Sequence, residues 1–393
     1  MSVIGIVCEF NPFHNGHKHL IDTVRKDGDT VVCVMSGNFT QRAEPSVFEK
    51  SCRVEAALSC GADIVLELPF VYATATAELF AANAVRILCE FGCDKIAFGV
   101  ETDNKDGIIA CAKLFASDSF KNEIDLELEH NISYPAARHR AFSTHGINLD
   151  MSEPNNILAV EYTKAVLRDY PSVEILPCKR KGSGHGSMTP HESIASAEYL
   201  RKVFRRQSIS PYVPEAAYRL YCQADGNDEV LDPRRYIISL LTLLRSRLYE
   251  DNNDVAYVSD ELAARINAAV REYTDTKSLD GIYENIKTKR YTASRVRRAV
   301  LYKAFDVNRE FMTLPAPYIR LLGFRSGSEN VIARAKENSG IPLVSTYKEI
   351  KLLNNEAVNK VFELESKASD IFNLSLAAPG RCSTEMLRKI IKI

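Results

Sequence analysis

The fold is decided by a stretch near the amino terminus, Val3–His17, which reads VIGIVCEFNPFHNGH. Its first half, up to Phe10, is an almost uninterrupted apolar run rich in β-branched residues, which is typical of a strand buried on both faces. A turn containing Pro12 follows, and helical spacing begins at Asn15. The stretch therefore predicts a buried strand, a tight turn and the amino terminus of a helix.

The same alternation continues over the first hundred residues. Further strands are predicted at Thr30–Met35, Ala62–Leu68 and Lys95–Phe98. Helical spacing precedes or follows each of them, at Asn15–Lys26, Phe48–Leu58 and Ala77–Leu88. Buried strands with helices between them predict an α/β fold with a parallel, Rossmann-like sheet and right-handed crossovers.

The pattern changes after the fourth strand and again near residue 205. Residues 103–150 lack strand signals and are predicted to be a helical insertion, followed by the amphipathic helix Asn156–Arg168, a short strand at Val173–Leu176, a Gly/Ser-rich loop at Lys181–Pro190 and a helix at Glu192–Val203. We therefore predict an α/β domain over residues 1–205. Residues 215–393 are predicted to be a mostly helical region, whose end from Tyr318 onward is compatible with a small α/β unit.

Composition limits the classes of function. Apolar residues make up 46% and charged residues 26%, which excludes wholesale disorder and fibrous architectures. A formal net charge of −1 excludes a globally basic coat for nucleic acid but leaves room for a local basic patch. The ten cysteines include no CxxC pair, which argues against zinc and thioredoxin chemistry and favours free thiols in a reducing compartment.

Neither a leader-like amino terminus nor an apolar run of about 18 residues is present in the sequence. We therefore expect a cytoplasmic protein without a membrane segment. The sequence leaves the oligomeric state open.

The turn after the first strand carries the most informative chemistry. Ligands of open α/β sheets bind at the carboxyl ends of strands, and a helix amino terminus offers free N–H groups and partial positive charge to phosphate. His14 and His17 lie three residues apart, so both imidazoles fall on one side of the first turn and can donate hydrogen bonds to phosphate. Purely structural histidines and zinc ligands are the alternatives. Because no carboxylate or cysteine follows at ligand spacing, we predict no metal site here.

The four residues His14–His17 resemble the HxGH signature of the nucleotidylyltransferase superfamily, whose members bind ATP on a Rossmann-like sheet and attack its α-phosphate. That superfamily has a second motif, roughly Ser-Ser-Thr-x-Ile-Arg, at a helix amino terminus. Here ASAEYLR at 195–201 stands in that position, with Ser196, Leu200 and Arg201 matching. Glu198 replaces the usual threonine, so the threonine's phosphate contact does not carry over.

Longer segments give a more specific resemblance. They are GIVCEFNPFHNGH at 5–17, SGNFTQR at 36–42, PNNIL at 154–158 and KRYT at 289–292. Together they resemble the bacterial tRNA(Met) cytidine acetate ligase family over almost the whole chain. The resemblance implies that ATP and acetate form acetyl-adenylate and pyrophosphate. It also implies that the acetyl group then passes to N4 of the wobble cytidine of elongator tRNA(Met).

The resemblance also implies a set of site residues. The ATP-binding segment would comprise Val7, Cys8, Glu9, Phe10, Asn11, Pro12, Phe13, His14, Asn15, Gly16, His17, Lys18, His19 and Leu20. Further nucleotide contacts would come from Gly99, Asn155 (or its neighbour Asn156), Arg180, Ser196 and Arg201. We assign the catalytic, charge-stabilising role to His14, His17 and Lys18. Mg²⁺ is expected with the phosphates, without a dedicated protein cage.

A local excess of positive charge is the candidate RNA-binding surface. Residues 287–303, hereafter the basic segment, contain seven lysines and arginines and no acidic residue. The residues predicted to bind RNA are Lys287, Lys289, Arg290, Tyr291, Arg295, Arg297 and Arg298. Tyr291 is predicted to stack on a base. The alternative is a solvated basic helix face.

Two other functions fit the same motifs. A small-molecule adenylyltransferase would join AMP to a phosphorylated precursor without tRNA. A non-catalytic RNA-binding protein would retain the nucleotide site only as a sensor.

Overall fold

The computed structural model describes residues 2–130, 132–181, 189–250, 254–289 and 291–393. Its strands are β1 (Val3–Cys8), β2 (Thr30–Ser36), β3 (Ile64–Leu68), β4 (Lys95–Val100), β5 (Glu174–Lys179), β6 (Ile319–Phe324), β7 (Leu343–Val344) and β8 (Ile391–Lys392). They form one sheet in the order β5-β4-β1-β2-β3-β6-β7, with β8 beside β6. Strands β1 to β5 are mutually parallel, which confirms the predicted Rossmann-like α/β fold.

Helices connect and cover these strands. In the amino-terminal half they are α1 (Asn15–Val24), α2 (Lys50–Ser59), α3 (Phe70–Ala73), α4 (Ala77–Phe91), α5 (Lys105–Ala116), α6 (Asp118–Leu128), α7 (Tyr134–Ser143), α8 (Pro154–Asp169) and α9 (Ala197–Val203). In the carboxyl-terminal half they are α10 (Glu215–Gly226), α11 (Pro233–Ser246), α12 (Asp260–Glu272), α13 (Asp280–Ile286), α14 (Ala293–Phe305), α15 (Glu329–Asn338), α16 (Tyr347–Leu352), α17 (Glu356–Leu374) and α18 (Thr384–Leu387). Helices α5 to α7 occupy the segment predicted as a helical insertion, whereas the predicted loop at Lys181–Pro190 lies largely outside the described residues.

The carboxyl-terminal strands correct one expectation. Instead of forming a separate unit from Tyr318 onward, β6 pairs antiparallel with β3, from Ile64 opposite Phe324 to Glu67 opposite Arg320. Without β6, the outer edge of β3 would expose unpaired backbone N–H and C=O groups. The boundary predicted between 205 and 215 therefore marks a change in sequence pattern and does not separate two sheets.

The hydrophobic core has one layer on each face of the sheet. Because side chains alternate along a strand, Val32 and Val34 of β2 face one layer, while Val31 and Cys33 face the other. The first layer is filled from α4 and α8 and also from α11, α14 and α17. The second is filled from α1, α2, α9 and α10. Both halves of the chain therefore share the same core.

A buried ion cluster ties the halves together. It consists of Lys50, Glu67, Arg320, Glu365 and Glu385, each at most 3% exposed. The Lys50 ammonium contacts all three carboxylates and lies 2.9 Å from the Glu385 carboxylate. Arg320 lies 3.1 Å from Glu67 and 2.6 Å from Glu385. The cluster therefore joins α2, β3, β6, α17 and α18.

Two carboxylates of the cluster have pKa values shifted in opposite directions. Burial, together with the nearby Glu67 carboxylate, raises the pKa of Glu365 to about 7. Burial also acts to raise the pKa of Glu385, but Lys50 and Arg320 outweigh it and hold that pKa well below its usual range. The cluster therefore depends on its cations to keep several carboxylates ionised without water.

Candidate active site

A cavity of about 270 Å³ opens at the carboxyl ends of β1, β2, β4 and β5, beside the amino terminus of α1. The chain runs from β1 to β2 and β3 on one side and then returns to place β4 on the other side of β1. Such a reversal of strand order creates a crevice in which α/β proteins bind ligands. The cavity therefore lies where the sequence predicts the nucleotide site.

The two predicted histidines lie together at the start of α1. His14 is the N-cap residue, and its Nδ1 accepts a hydrogen bond from the Gly16 N–H at 3.0 Å. The His17 Nδ1 accepts one from the His14 N–H at 3.2 Å, and the two rings stack with centroids 3.8 Å apart. Since each Nδ1 is an acceptor, each neutral ring carries its proton on Nε2.

Both imidazoles are held neutral. Burial, reinforced by the positive charges of Arg180 and Arg201, lowers the pKa of His14 to about 3. Burial, together with His14 and Arg180, holds the pKa of His17 well below its usual range. The rings therefore offer Nε2–H donors at neutral pH without carrying a positive charge themselves.

This arrangement predicts an unusual titration. We expect the ring C2–H signals of His14 and His17 to keep their neutral-form positions from pH 8 to pH 5, because burial opposes protonation. The measurement is proton NMR, with His14→Gln and His17→Gln used to assign the two signals. A midpoint near the ordinary value of about 6.5 for either ring would contradict the arrangement.

The same shift has a consequence for stability. In the unfolded chain His14 has its ordinary pKa of about 6.5, whereas in the folded chain its pKa is about 3. The free energy of unfolding should therefore fall as pH drops from about 6.5 toward 3, and His14→Gln should flatten that fall.

Three predicted nucleotide contacts gather on the β4 and β5 side of the cavity. Gly99, Asn155 and Arg180 all line it. The Asn155 amide donates to a Glu101 carboxylate oxygen at 2.6 Å, and the Arg180 Nε lies 3.4 Å from the same oxygen. A Cβ at Gly99 would lie 3.2 Å from the Arg180 Cγ, so the glycine leaves room for the arginine side chain.

Asn155 and its neighbour Asn156 have different environments in the structure. Asn156 is fully buried, accepts a hydrogen bond from the Glu101 N–H at 3.3 Å and donates to the Asp150 carbonyl at 2.9 Å. Its amide is therefore used in packing α8, and Asn155 is the one of the two that faces the cavity.

The second motif lies at the start of α9. This helix begins at Ala197 rather than at the predicted Glu192, because Ser196 caps it by accepting the Tyr199 N–H at 3.0 Å. Arg201 lines the cavity and donates to the Asn11 carbonyl at 2.9 Å. The Glu198 that replaces the motif's threonine also lines the cavity, where ion pairs with Arg42 and Lys202 at 3.7 and 2.8 Å hold it.

Not every residue of the predicted ATP-binding segment faces the cavity. Those that do are Val7, Cys8, Glu9, Phe10, Asn11, His14, Gly16, His17, His19 and Leu20. Pro12 is not among the lining residues. Phe13 is fully buried behind them, and Asn15 donates to the Ser193 and Pro211 carbonyls.

The structure places Lys18 outside the cavity in which its catalytic role was predicted. It pairs with Asp22 at 2.7 Å along the exposed face of α1 and does not line the cavity. The reason is helical geometry: at about 100° per residue, His17, His19 and Leu20 fall on one half of the α1 surface, and Lys18 falls on the opposite half. Its predicted catalytic role is therefore not supported by its position.

The basic segment divides into buried and exposed residues. Arg298 is 7% exposed and donates to the Thr74 and Gln41 carbonyls at 2.7 and 3.3 Å. Arg297 pairs with Glu44 at 2.7 Å. Tyr291 is 1% exposed and donates to Glu261 at 2.9 Å, so its ring is not available to stack on a base. These contacts correct the RNA-binding role predicted for Tyr291 and Arg298.

The exposed part of the segment is smaller than predicted. Lys287, Lys289 and Arg295 are exposed. Lys287 lies 3.4 Å from Glu284, and the Arg295 guanidinium lies 5.0 Å above the Tyr291 ring. Arg290 lies outside the described residues.

Arg53 is a residue that the sequence analysis missed. It is fully buried, and its guanidinium donates to the Phe48, Glu9 and Ser36 carbonyls at 3.0, 2.7 and 3.1 Å and also to that of Gly37. It therefore fixes the loops that leave β1 and β2. The available signal was an arginine on the apolar face of the predicted helix Phe48–Leu58.

Neither a metal-ligand cluster nor a membrane-spanning helix occurs among the residues that the structure describes. In the part of the chain that the structure describes, no three His, Cys, Asp or Glu side chains are grouped as potential metal ligands. Within the same residues, no helix has the length and apolar character needed to cross a membrane.

Comparison with known proteins places this chain in a family. Residues 1–386 match the family model for HIGH nucleotidyl transferases. The chain is 33% identical to the tRNA(Met) cytidine acetate ligase of Acetivibrio thermocellus, with 100% of both chains covered. It is 32% identical to the ligase of the same name from Geobacillus sp. strain WCH70, with 97% of this chain and 96% of the other covered.

Solved structures of a related protein have the same fold. The crystal structure of Thermotoga maritima TmcAL bound with alpha-thio ATP superposes with a TM-score of 0.89 at 27% identity, and its apo form superposes with 0.91, each over the full length of both chains. The chain therefore belongs to the HIGH nucleotidyl transferase family and, within it, to the tRNA(Met) cytidine acetate ligases.

Proposed function

We propose that this protein is an ATP-dependent ligase that activates acetate as acetyl-adenylate and transfers the acetyl group to N4 of the wobble cytidine of elongator tRNA(Met) in the cytoplasm. The observation that carries the proposal is the stacked His14–His17 pair. Its neutral Nε2–H donors lie at a helix amino terminus, in a chain that belongs to this ligase family.

The adenylation half requires charge stabilisation more than acid–base catalysis. Acetate is already ionised at neutral pH, so its oxygen needs no base to attack the α-phosphate. The attack brings two anions together, and the phosphate gains further negative charge. The His14 and His17 donors, Arg180 and Arg201 surround the cavity and supply positive charge or hydrogen bonds there.

Mg²⁺ belongs to the same proposal. Mg²⁺ is commonly bound through substrate phosphates and water, with few protein ligands, and it would neutralise phosphate charge here.

The transfer half requires positioning of a weak nucleophile. The exocyclic amine of cytosine must be held against the acetyl carbonyl, and the base must leave its anticodon stack to reach the cavity. The basic segment adjoins this cavity, because Arg297 and Arg298 contact the loop at residues 41–44 that lines it.

The decisive test is incubation with ATP, acetate and unmodified tRNA, followed by mass analysis of the nucleosides. We expect N4-acetylcytidine only when ATP and acetate are both present. Pyrophosphate release that needs no acetate, without modified tRNA, would instead favour a small-molecule adenylyltransferase. Absence of both products would favour a non-catalytic RNA-binding protein.

A triple variant tests the RNA surface. Replacing Lys287, Lys289 and Arg295 with Gln should weaken tRNA binding and reduce the slope of log affinity against log salt by about two to three, because each lost phosphate contact removes roughly one unit. Arg297 and Arg298 stay intact, because their contacts support the cavity wall. The measurement is a filter-binding titration at several salt concentrations, together with pyrophosphate release without tRNA.

A matched variant controls for net charge. Arg334, Lys336 and Lys348 are exposed on α15 and α16, and replacing them with Gln removes the same three charges. This variant should keep the wild-type salt slope. Equal weakening by both triple variants would mean that the exposed basic segment is not a specific tRNA contact.

A further inference from the structure

Glu9 is a carboxylate of the cavity to which neither the adenylation half nor the transfer half of the proposed reaction assigns a role. Glu9 directly follows β1, lines the cavity and is partly exposed to it. One of its oxygens accepts the Gln41 N–H at 2.7 Å. Among the described residues, Glu9 forms no ion pair, although Arg42, Arg53 and Arg201 are near enough to act on it electrostatically.

The backbone holds this carboxylate at a sharp turn. Phe10 has a φ of 47°, in the left-handed region that bulky residues avoid. Arg53 donates to the Glu9 carbonyl at 2.7 Å and so fixes the turn from behind. Strained backbone of this kind is concentrated at functional sites, where the surrounding structure maintains it.

Glu9 belongs to the predicted ATP-binding segment, but it lies on the β2 side of the cavity, away from Gly99 and Arg180. Strand β1 lies between β4 and β2 in the sheet. Gly99 lies on β4 and Arg180 directly follows β5, whereas Glu9 is bonded to Gln41 in the loop after β2. A nucleotide held by Gly99 and Arg180 would therefore leave the Glu9 side for the acceptor.

The same side leads to the basic segment. Arg298 donates to the Gln41 carbonyl at 3.3 Å, and Arg297 pairs with Glu44, another cavity-lining residue. The loop that binds the Glu9 carboxylate is thus also the loop that contacts α14. An RNA strand bound along the exposed basic segment would enter the cavity beside Glu9.

We propose that Glu9 is the general base of acetyl transfer and accepts the proton that cytidine N4 loses as it attacks the acetyl carbonyl. The N4 lone pair forms the N–C bond, the bond from the carbonyl carbon to the adenylate oxygen breaks, and AMP leaves with that electron pair. One N4 proton passes to a Glu9 carboxylate oxygen, and the product is the neutral amide. This assignment rests on the proposed function.

Chemistry favours Glu9 over its neighbours for this step. Attack by the weakly nucleophilic amine places positive charge on N4, which a nearby base relieves. His14 and His17 cannot accept that proton on Nε2, because Nε2 already carries one and Nδ1 is occupied. Carbonyl oxygens are too weakly basic. The other two cavity carboxylates, Glu44 and Glu198, are held in ion pairs, which leaves the Glu9 carboxylate.

Burial also makes Glu9 a stronger base than an exposed glutamate. Loss of water contact raises its pKa, and this effect outweighs the Gln41 N–H and the charges of Arg201, Arg42 and Arg53, which act in the opposite direction. Tyr162 of α8 and Cys8 of β1 also face it, and both have raised pKa values because of burial. Tyr162 and Cys8 therefore stay protonated, and neither can accept the proton in place of the ionised Glu9 carboxylate.

The test compares two rates in Glu9→Gln. Glutamine keeps an oxygen that can hydrogen-bond N4–H, but it cannot take the proton. Single-turnover acetylation of tRNA from preformed acetyl-adenylate should fall by at least ~100-fold, the usual scale for losing a general base. Tritium- or carbon-labelled acetyl-adenylate measures this transfer, pyrophosphate release without tRNA measures adenylation in the same variant, and transfer should fall at least ~10-fold more than adenylation.

Asp22→Asn is the matched control, since Asp22 is an exposed carboxylate of α1 that pairs with Lys18 and does not line the cavity. It should change the ratio of transfer to adenylation by less than about 10-fold. Transfer at near-wild-type rate in Glu9→Gln, or an equal fall of both rates, would overturn the assignment. A wild-type protein that makes no acetylcytidine would overturn the proposed function itself.

The pH dependence of the transfer rate distinguishes a general base from a residue that only positions the cytidine. With preformed acetyl-adenylate, the wild-type transfer rate should rise with pH as Glu9 ionises and then level off. The residual rate of Glu9→Gln should lack that rise. An unchanged profile in the variant would show that Glu9 only positions the cytidine, and the assignment would fail.

Discussion

His14→Ala and His17→Ala should each lower acetate-dependent pyrophosphate release by at least ~100-fold, the scale of losing one preorganised donor to a developing oxyanion. Each ring lines the cavity and carries its proton on Nε2, because its Nδ1 accepts a backbone N–H. Removing one ring also unstacks its partner, whose centroid lies 3.8 Å away. The measurement is steady-state pyrophosphate release at saturating ATP and acetate.

Stability must be measured in the same variants. His14 caps α1, so its loss removes a cap worth ~0.5–2 kcal/mol. Thermal unfolding shows whether the variants are folded at the assay temperature. His145→Ala is the control, because His145 lies on the exposed surface, where it contacts Glu123. Folded variants of both cavity histidines that release pyrophosphate at near-wild-type rates would refute the site.

Lys50→Met should destabilise the fold by ~3–5 kcal/mol, because it leaves buried carboxylates without their shared cation. Glu67, Glu365 and Glu385 would then face one another with Arg320, and Arg388 at Glu385, as the remaining positive charges. Urea unfolding at constant pH measures the loss. The exposed ion-pair variant Lys18→Met should cost less than about 1 kcal/mol and is the control.

The pH dependence of Lys50→Met provides a second readout. Without the ammonium group, the folded-state pKa of Glu365 should rise further above its unfolded value, because burial and Glu67 already raise it. A carboxyl group with a raised folded pKa contributes stability at low pH and loses it as pH rises through that pKa. The destabilisation should therefore be smaller at pH 5.5 than at pH 8. A loss below 1 kcal/mol at both values would mean that the cluster does not stabilise the fold.

Local patterns were enough to predict the amino-terminal sheet and the position of the cavity. The apolar runs of β1 to β5 and the turn before α1 are contiguous in sequence, and the site lies at their carboxyl ends. Within that site, neither the neutral charge state of His14 nor the outward position of Lys18 follows from spacing alone. Both depend on which groups pack against the helix.

Contacts between distant residues were not predictable in this way. Lys50 and Arg53 lie in a predicted helix, where charged side chains are ordinarily exposed. The burial of Lys50 depends on Glu365, which lies 315 residues away, and that of Arg53 depends on carbonyls such as that of Glu9, 44 residues away. Similarly, charge spacing in the basic segment does not reveal that Arg298 turns inward to the Gln41 carbonyl while Arg295 remains exposed.

The pairing of β3 with β6 has a consequence for synthesis on the ribosome. The strand that covers β3 follows about 250 residues later, as the 253-residue separation of Glu67 and Arg320 shows. At ~5–20 residues per second, the nascent chain carries an uncovered β3 edge for roughly 10–50 s. Contacts this distant in sequence also form slowly. The nascent protein is therefore a natural client for chaperones, and a ribosome that stalls before β6 releases a chain whose nucleotide-binding sheet cannot be completed.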